Sequence, residues 1–250
     1  DIISLLEDDD MFTQDKLEEV YHIFKEGKVS EIRNEVYFID SNNNILPNPK
    51  VNNDFYKYFI NKYNYKHRKY LTMLGWSSAI SIKRELIDDD IKYLKRAVDV
   101  YLTISAICKS ENEYVLFYGK PLTYYRVHSQ NFSRPYTIEE RINLAKSRIE
   151  DYGRLYNKYY NCGKEMRKTL KLFFLLPKFS YYILKLYLVN KNEELRDIVF
   201  SFSDKIFLLN PFKEPRREFI TIEFLASLFL FLPSSARFHL FKFLQKHTSI

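Results

Sequence analysis

The chain reads as an α/β portion followed by an all-α region, and three observations predict it. Over residues 1–126, short apolar runs closed by turn-forming residues alternate with stretches of helical spacing, the pattern of interleaved strands and helices. After Arg134-Pro135 no strand-like run recurs and only helical patterns follow. The 5 Gly and 8 Pro are too few for a turn-rich all-β fold, and 21 Phe with 21 Tyr are more than a solvated, disordered chain carries. We therefore expect one region over residues 1–135 and a second over residues 136–250.

Each element has its own reason. Residues 2–6 are a short apolar run ended by acids, read as a buried strand. Thr13 stands where a cap is wanted for a helix over residues 14–26. Asp15, Glu18 and Glu19 suit the positive end of that helix, and Gly27 stops it. Residues 36–39 are a second strand. Asp40-Ser41-Asn42-Asn43-Asn44 is a turn, made of residues that tolerate left-handed backbone. Residues 52–64 have helical spacing, residues 76–82 are expected to be extended, and a helix is expected from near Lys83. Residues 98–108 place Val98, Leu102 and Ala106 beside Val100, Ile104 and Ile107, which predicts a mostly buried helix. Residues 114–118 are a strand, and Gly119-Lys120-Pro121 is expected to turn the chain into another over residues 122–126. Helices are predicted over residues 137–160, 164–189, 191–208, 216–231 and 234–246, with Pro177 breaking or kinking the second.

Charge divides the chain in the same place. Residues 1–135 carry 19 Lys and Arg against 20 Asp and Glu, and residues 136–250 carry 20 against 12, so −1 and +8 make up the net +7. The basic half lacks any nucleic-acid recognition motif and spreads its cations over many helices, so nucleic acid is not an expected partner. Cys108 and Cys162 have no metal-ligand or redox spacing, which predicts free thiols in a reducing compartment. The chain opens with Asp rather than Met and shows no charged-then-apolar leader, so we expect it to begin partway through a larger protein.

Chemistry concentrates at Glu7-Asp8-Asp9-Asp10. Four carboxylates at the end of a strand repel one another unless a cation neutralises them. Oxygen ligands suit Mg²⁺ or Mn²⁺, which keep waters and bridge to substrate phosphates. The plainer alternative is that one acid caps the next helix and the others are solvated.

The segment "LLEDDDMFTQDKLEEV" resembles the part of family 2 glycosyltransferases in which a strand ends in a D-x-D-type motif and leads into a helix. "GWSSAISIKRELI" is similar to the acceptor-side block of that family, and "AVDVYLTISAICKSENEYVLFYGKPLTYYRVHSQNFSR" to its later block with "Y-R-x-H" and "N-x-S". The resemblance covers roughly residues 1–135. It implies a partial GT-A fold, a Rossmann-like mixed sheet, whose nucleotide-binding half would lie upstream. It also implies metal-dependent, inverting transfer of a sugar from a nucleotide-sugar donor to a glycan or lipid-linked acceptor.

Roles carry over by residue. Asp9 would be the direct metal ligand, with Glu7 at the metal or the ribose; Glu7 departs from the usual Asp by one methylene. Asp8, Asp10, Arg126 and His128 would face the donor diphosphate, Arg126 and His128 sharing one strand face. Asp99 would be the general base, although an Asp there also suits a helix N-cap. Trp76, Ser77 and Ser78 would line the acceptor pocket. Asp88-Asp89-Asp90 faces nearby Lys and Arg and is read as surface charge.

The apolar run over residues 219–232 is shorter than the roughly 20 residues a spanning helix needs. The aromatic and basic helices of residues 165–250 could instead lie on an anionic membrane surface, as a lipid-linked acceptor would require, or pack on one another. The resulting expectation is a cytoplasmic protein at the inner face of the membrane. The rival expectations are a non-catalytic membrane- or partner-binding module and another metal-dependent phosphotransferase.

Overall fold

The computed structural model describes residues 1–47, 56–66, 76–127 and 137–188. The helices expected over 191–208, 216–231 and 234–246, and His128, lie outside the described residues. The chain divides into two compact units, one of Asp1–Pro135 with Glu150–Phe174, the other of Tyr136–Ile149 with Leu175–Ile250.

The first unit is α/β. Its strands are β1 (Ile2–Ser4), β2 (Met11–Phe12), β3 (Val29–Ile39), β4 (Lys57–Ile60), β5 (Ile80–Lys83) and β6 (Tyr114–Arg126). They form one mixed sheet in the order β1-β5-β3-β6-β2, with β4 against the first half of β6. Only β3 and β6 run parallel; the other pairs are antiparallel.

Helices α1 (Lys16–Glu26) and α2 (Val98–Lys109) cover the sheet from opposite sides, and strand alternation explains how. In β6, Leu116 and Tyr118 join Val20 of α1 with Val29, Ile32 and Leu122 in one buried cluster. Val115 and Phe117, one residue out of phase, join Ile80, Ile82, Val100, Leu102 and Ile104 in the other. Leu155 and Leu170, from α3 (Ile138–Lys158) and α4 (Lys164–Leu188), close that second cluster. Each buried Ile, Leu or Val side chain contributes about 1.5–3 kcal/mol, so this layer holds α2 firmly on the sheet.

Several local expectations are corrected. The stretch from residue 57 to 60 is strand, not helix, because Lys57–Ile60 pairs with Tyr118–Val115 of β6. Gly119-Lys120-Pro121 is a bulge inside one continuous β6, across from Asn34 and Glu35, rather than a turn between two strands. Gly119 is required there, since a Cβ would stand 2.6 Å from the Tyr56 nitrogen. No α-helix starts at Lys83; residues 84–86 and 89–93 form 3-10 turns, the second capped by Asp88 accepting from the Asp90 N–H. β1 is a half-exposed edge strand rather than a buried one, with Ile2 39% exposed. Asp15, not Thr13, occupies the N-cap of α1. α4 runs on through Pro177, so of the expected break or kink the break does not occur.

The cysteine reading is overturned outright. Cys108 and Cys162 form a disulfide, with Cα atoms 5.4 Å apart across 54 residues of sequence. It joins the last turn of α2 to the link between α3 and α4, a proximity that spacing in the sequence does not reveal. The cysteines therefore no longer argue for a reducing compartment. Among the described residues, no helix is long and apolar enough to cross a membrane.

Candidate functional site

The acids lie on residues 5–10, which leave β1 beside β5 and cross to β2 at the other side of the sheet beside β6. The crossing is tied down at each step. Leu5 N–H donates to the Ile80 carbonyl at 3.0 Å, and Glu7 N–H donates to Ser78 Oγ at 2.9 Å. Asp10 N–H donates to the Glu7 carbonyl at 3.3 Å, closing a turn.

That turn gathers carboxylates. Oxygens of Glu7, Asp9 and Asp10 lie within 4.8 Å of one another, while Asp8 points to solvent outside the group. Protein packed around Glu7 strips part of its hydration and raises its pKa. A Ser77 hydroxyl bond opposes that rise, and the charges of Asp10, Asp9 and Asp99 add to it. Asp10 is buried, and its carboxyl is likewise pushed up by burial first, with Ser78 and Arg126 pulling it down. Its Oδ1 accepts from the Arg126 N–H at 2.9 Å, but its Oδ2 has no hydrogen-bond partner of normal geometry among the described residues. A buried carboxylate with one oxygen lacking a partner of normal geometry, beside two further carboxylates, fits a hard divalent cation, whose ligands are oxygens.

Arg126 acts as a clasp. Its Nε donates to the Asp9 carbonyl at 2.8 Å, one Nη to the Asp40 carbonyl at 2.9 Å, and the other to Asn43 Oδ1 at 2.7 Å. The turn it grips is the predicted one: Asp40 Oδ1 accepts from the Asn42 and Asn44 N–H groups, and Asn43 takes φ 68°. Its guanidinium thus faces protein carbonyls as well as the acidic loop.

Ser77 and Ser78 sit directly against the acids. Ser77 bonds the Glu7 carboxylate. Ser78 is fully buried, its Oγ taken by Glu7 and its carbonyl by Lys16 Nζ and Thr123 Oγ1, so it holds the loop in place rather than lining an open pocket. Trp76 adopts φ 62° and packs edge-on against Phe38 at 5.7 Å, with Tyr125 at 6.2 Å. Phe38 and Tyr125 are register partners on β3 and β6, so this half-buried aromatic group is built by the sheet.

Asp99 stands in the first turn of α2, half-buried, and is not the N-cap, which is Ala97. Its charge reaches Glu7, Glu31 and Arg33. Beneath it lies a buried polar network that the sequence hides among strand residues. Arg33 donates to Thr103 Oγ1 at 2.6 Å and to the Asp99 carbonyl at 3.4 Å, and Thr103 in turn donates to Glu31. Burial pushes the Glu31 carboxyl up to about 7 and lowers the Arg33 pKa.

Lys16 is a second residue that sequence reading missed. It is fully buried, bonds Ser78 and Thr123, and lies over the Phe12 ring at 4.0 Å. Burial lowers its pKa to about 7, against the pull of Asp10. A cation at the positive end of a helix was the one available clue. Asp88 is an ion-pair anchor: burial opposes it, yet Lys109, Lys158 and the Tyr101 hydroxyl hold its carboxyl well below the usual range.

No protein-family model matches the chain, and no curated protein matches its sequence.

Proposed function

We propose that this chain is the metal-binding and acceptor-side part of an inverting glycosyltransferase of the family 2 type. It would move a sugar from a nucleotide-sugar donor to a glycan or lipid-linked acceptor. The observation that carries the reading is one of convergence. Glu7, Asp9 and Asp10, Ser77, Asp99 and Arg126 come from three separate blocks of sequence and act on one another within one unit. On this reading the mixed sheet is part of a GT-A fold.

Glu7, Asp9 and Asp10 would hold Mg²⁺ or Mn²⁺, which when bound supplies positive charge for a leaving diphosphate. The protein's own residues do the rest. Asp99 takes the proton of the acceptor hydroxyl as that oxygen bonds to the anomeric carbon, and the bond from that carbon to the diphosphate breaks with its electron pair left on the phosphate oxygen. Trp76, with Phe38 and Tyr125, offers ring faces on which a sugar can stack. The membrane-surface role of residues 165–250 and the location at the inner face of a membrane belong to the same proposal, through the lipid-linked acceptor.

The resemblance puts nucleotide-binding elements upstream of the acidic segment, so the test uses the longest natural form of the protein. Nucleotide release from a panel of nucleotide-sugars is measured with and without Mn²⁺. Metal-dependent release from one donor is expected, abolished in Asp9→Asn. Absence of both release and metal-dependent donor binding would leave a binding module without catalysis. Release of phosphate from simple phosphomonoesters would indicate a phosphatase instead.

A further inference from the structure

We infer that Asp151 of α3 is a positioning residue for Asp99, because its carboxylate pins the backbone that leads into α2. The inference rests on the glycosyltransferase reading for the role of Asp99. The start of a helix leaves backbone N–H groups without partners and carries partial positive charge. The residue at the cap position of α2 is Ala97, whose methyl group can accept nothing. Asp151 anchors instead the three residues that run into the helix, through their own N–H groups. The Lys95 N–H donates to its Oδ1 at 3.1 Å and to its Oδ2 at 3.0 Å, the Arg96 N–H to Oδ2 at 2.6 Å, and the Ala97 N–H to Oδ2 at 3.0 Å.

Asp151 and Ala97 are both fully buried, so these bonds are sheltered from water and hold in one geometry. Asp99 lies two residues beyond Ala97, in the first helical turn, directly after the anchored residues. On the opposite side Arg33 grips the Asp99 carbonyl, and at the far end of α2 the Cys108–Cys162 disulfide ties it to the same helical segment. The helix that carries the base is thus held by Glu150–Phe174, the stretch that joins the sheet unit although it lies beyond residue 135. That stretch is part of the catalytic unit, not an appended tail.

The test compares Asp151→Asn, Asp151→Ala and Asp99→Asn in the longest natural form of the protein. Transferase kcat, donor KM and Mn²⁺ affinity are measured for each. Misplacing a reacting group by an ångström costs up to about 100-fold, so kcat should fall by about 10-fold in Asp151→Asn and about 100-fold in Asp151→Ala, with donor KM and Mn²⁺ affinity within about 2-fold. Should Asp151→Ala not fold, Asp151→Asn decides the matter by hydrogen exchange alongside kcat. The amides of Lys95, Arg96 and Ala97 should lose protection while those of Val115, Leu116 and Phe117 keep theirs. Unchanged kcat in the Asp151 variants, with Asp99→Asn inactive, overturns this inference alone. So does a parallel fall of kcat, donor affinity and metal affinity, which would mark a general loosening. A fully active Asp99→Asn overturns the base assignment and the inference with it.

Discussion

Arg126 holds Asp10 and Asp9 together: its backbone N–H bonds Asp10 Oδ1 at 2.9 Å while its Nε bonds the Asp9 carbonyl at 2.8 Å. One residue at the end of β6 therefore fixes two of the three clustered acids, from 116 residues away in sequence. Its other two donors hold the turn at Asp40 and Asn43.

Arg126→Ala should weaken Mn²⁺ binding by about 10-fold, as loss of an outer partner of a metal ligand usually does. Arg126→Lys should not restore it, since a single ammonium cannot span three acceptors. Calorimetric titration of Mn²⁺ checks both. A variant that binds Mn²⁺ normally but loses donor affinity would instead make Arg126 a direct diphosphate ligand.

Reduction of Cys108–Cys162 should lower stability. Closing a loop of this size constrains the unfolded chain by about 4 kcal/mol on the chain-entropy account. Urea unfolding with and without a reductant, beside a Cys162→Ser variant, measures the difference. Equal midpoints would mean that the two sulfurs are not bonded in solution.

How much of this was legible in the sequence depends on how local the cause is. α1, α2 and the turn at Asp40 were readable because spacing, caps and turn residues act within a few positions. β4 was not, because three of its four residues are exposed and only pairing with β6 makes it a strand. The first half of β3 hid for the opposite reason: Glu31, Arg33 and Asn34 are polar, yet they are buried and hydrogen-bonded to Thr103 and Thr123. In the site, the acidic run announced itself. Which acids face inward did not, since Asp10 is turned in by Arg126 and Asp8 is left in solvent. Asp151 looked like an ordinary helix acid, and only the fold brings it to the start of α2.

Lys16 should make stability rise with pH above neutrality. Its folded pKa, lowered to about 7, lies below the 10.5 of the unfolded chain, so the unfolded state binds the extra proton between those values. Stability then rises as pH goes from about 7 toward 10.5, by about 2 kcal/mol between pH 7 and pH 9. Lys16→Met should flatten that dependence. Denaturant unfolding at the two pH values reads it, and a slope shared by wild type and variant would assign the proton to another group.

Glu7 and Asp10 predict the opposite slope in the metal-free protein, and a cation should reverse it. Both carboxyl pKa values are raised in the folded state, so the unfolded chain ionises them first. As pH rises from their ordinary values through the raised ones, the folded state binds more protons than the unfolded state and loses stability; above that window the penalty is constant. A divalent cation binds the ionised carboxylates and removes the penalty, so its stabilising effect should grow with pH over the same window. Thermal unfolding with and without Mn²⁺, near pH 4.5 and at pH 7, is the measurement. A clearly larger Mn²⁺-dependent rise in Tm is expected at pH 7, and Asp10→Asn should remove most of it while raising the Tm of the metal-free protein. A rise that is the same at both pH values, or that survives Asp10→Asn, would place the metal away from the buried carboxylate.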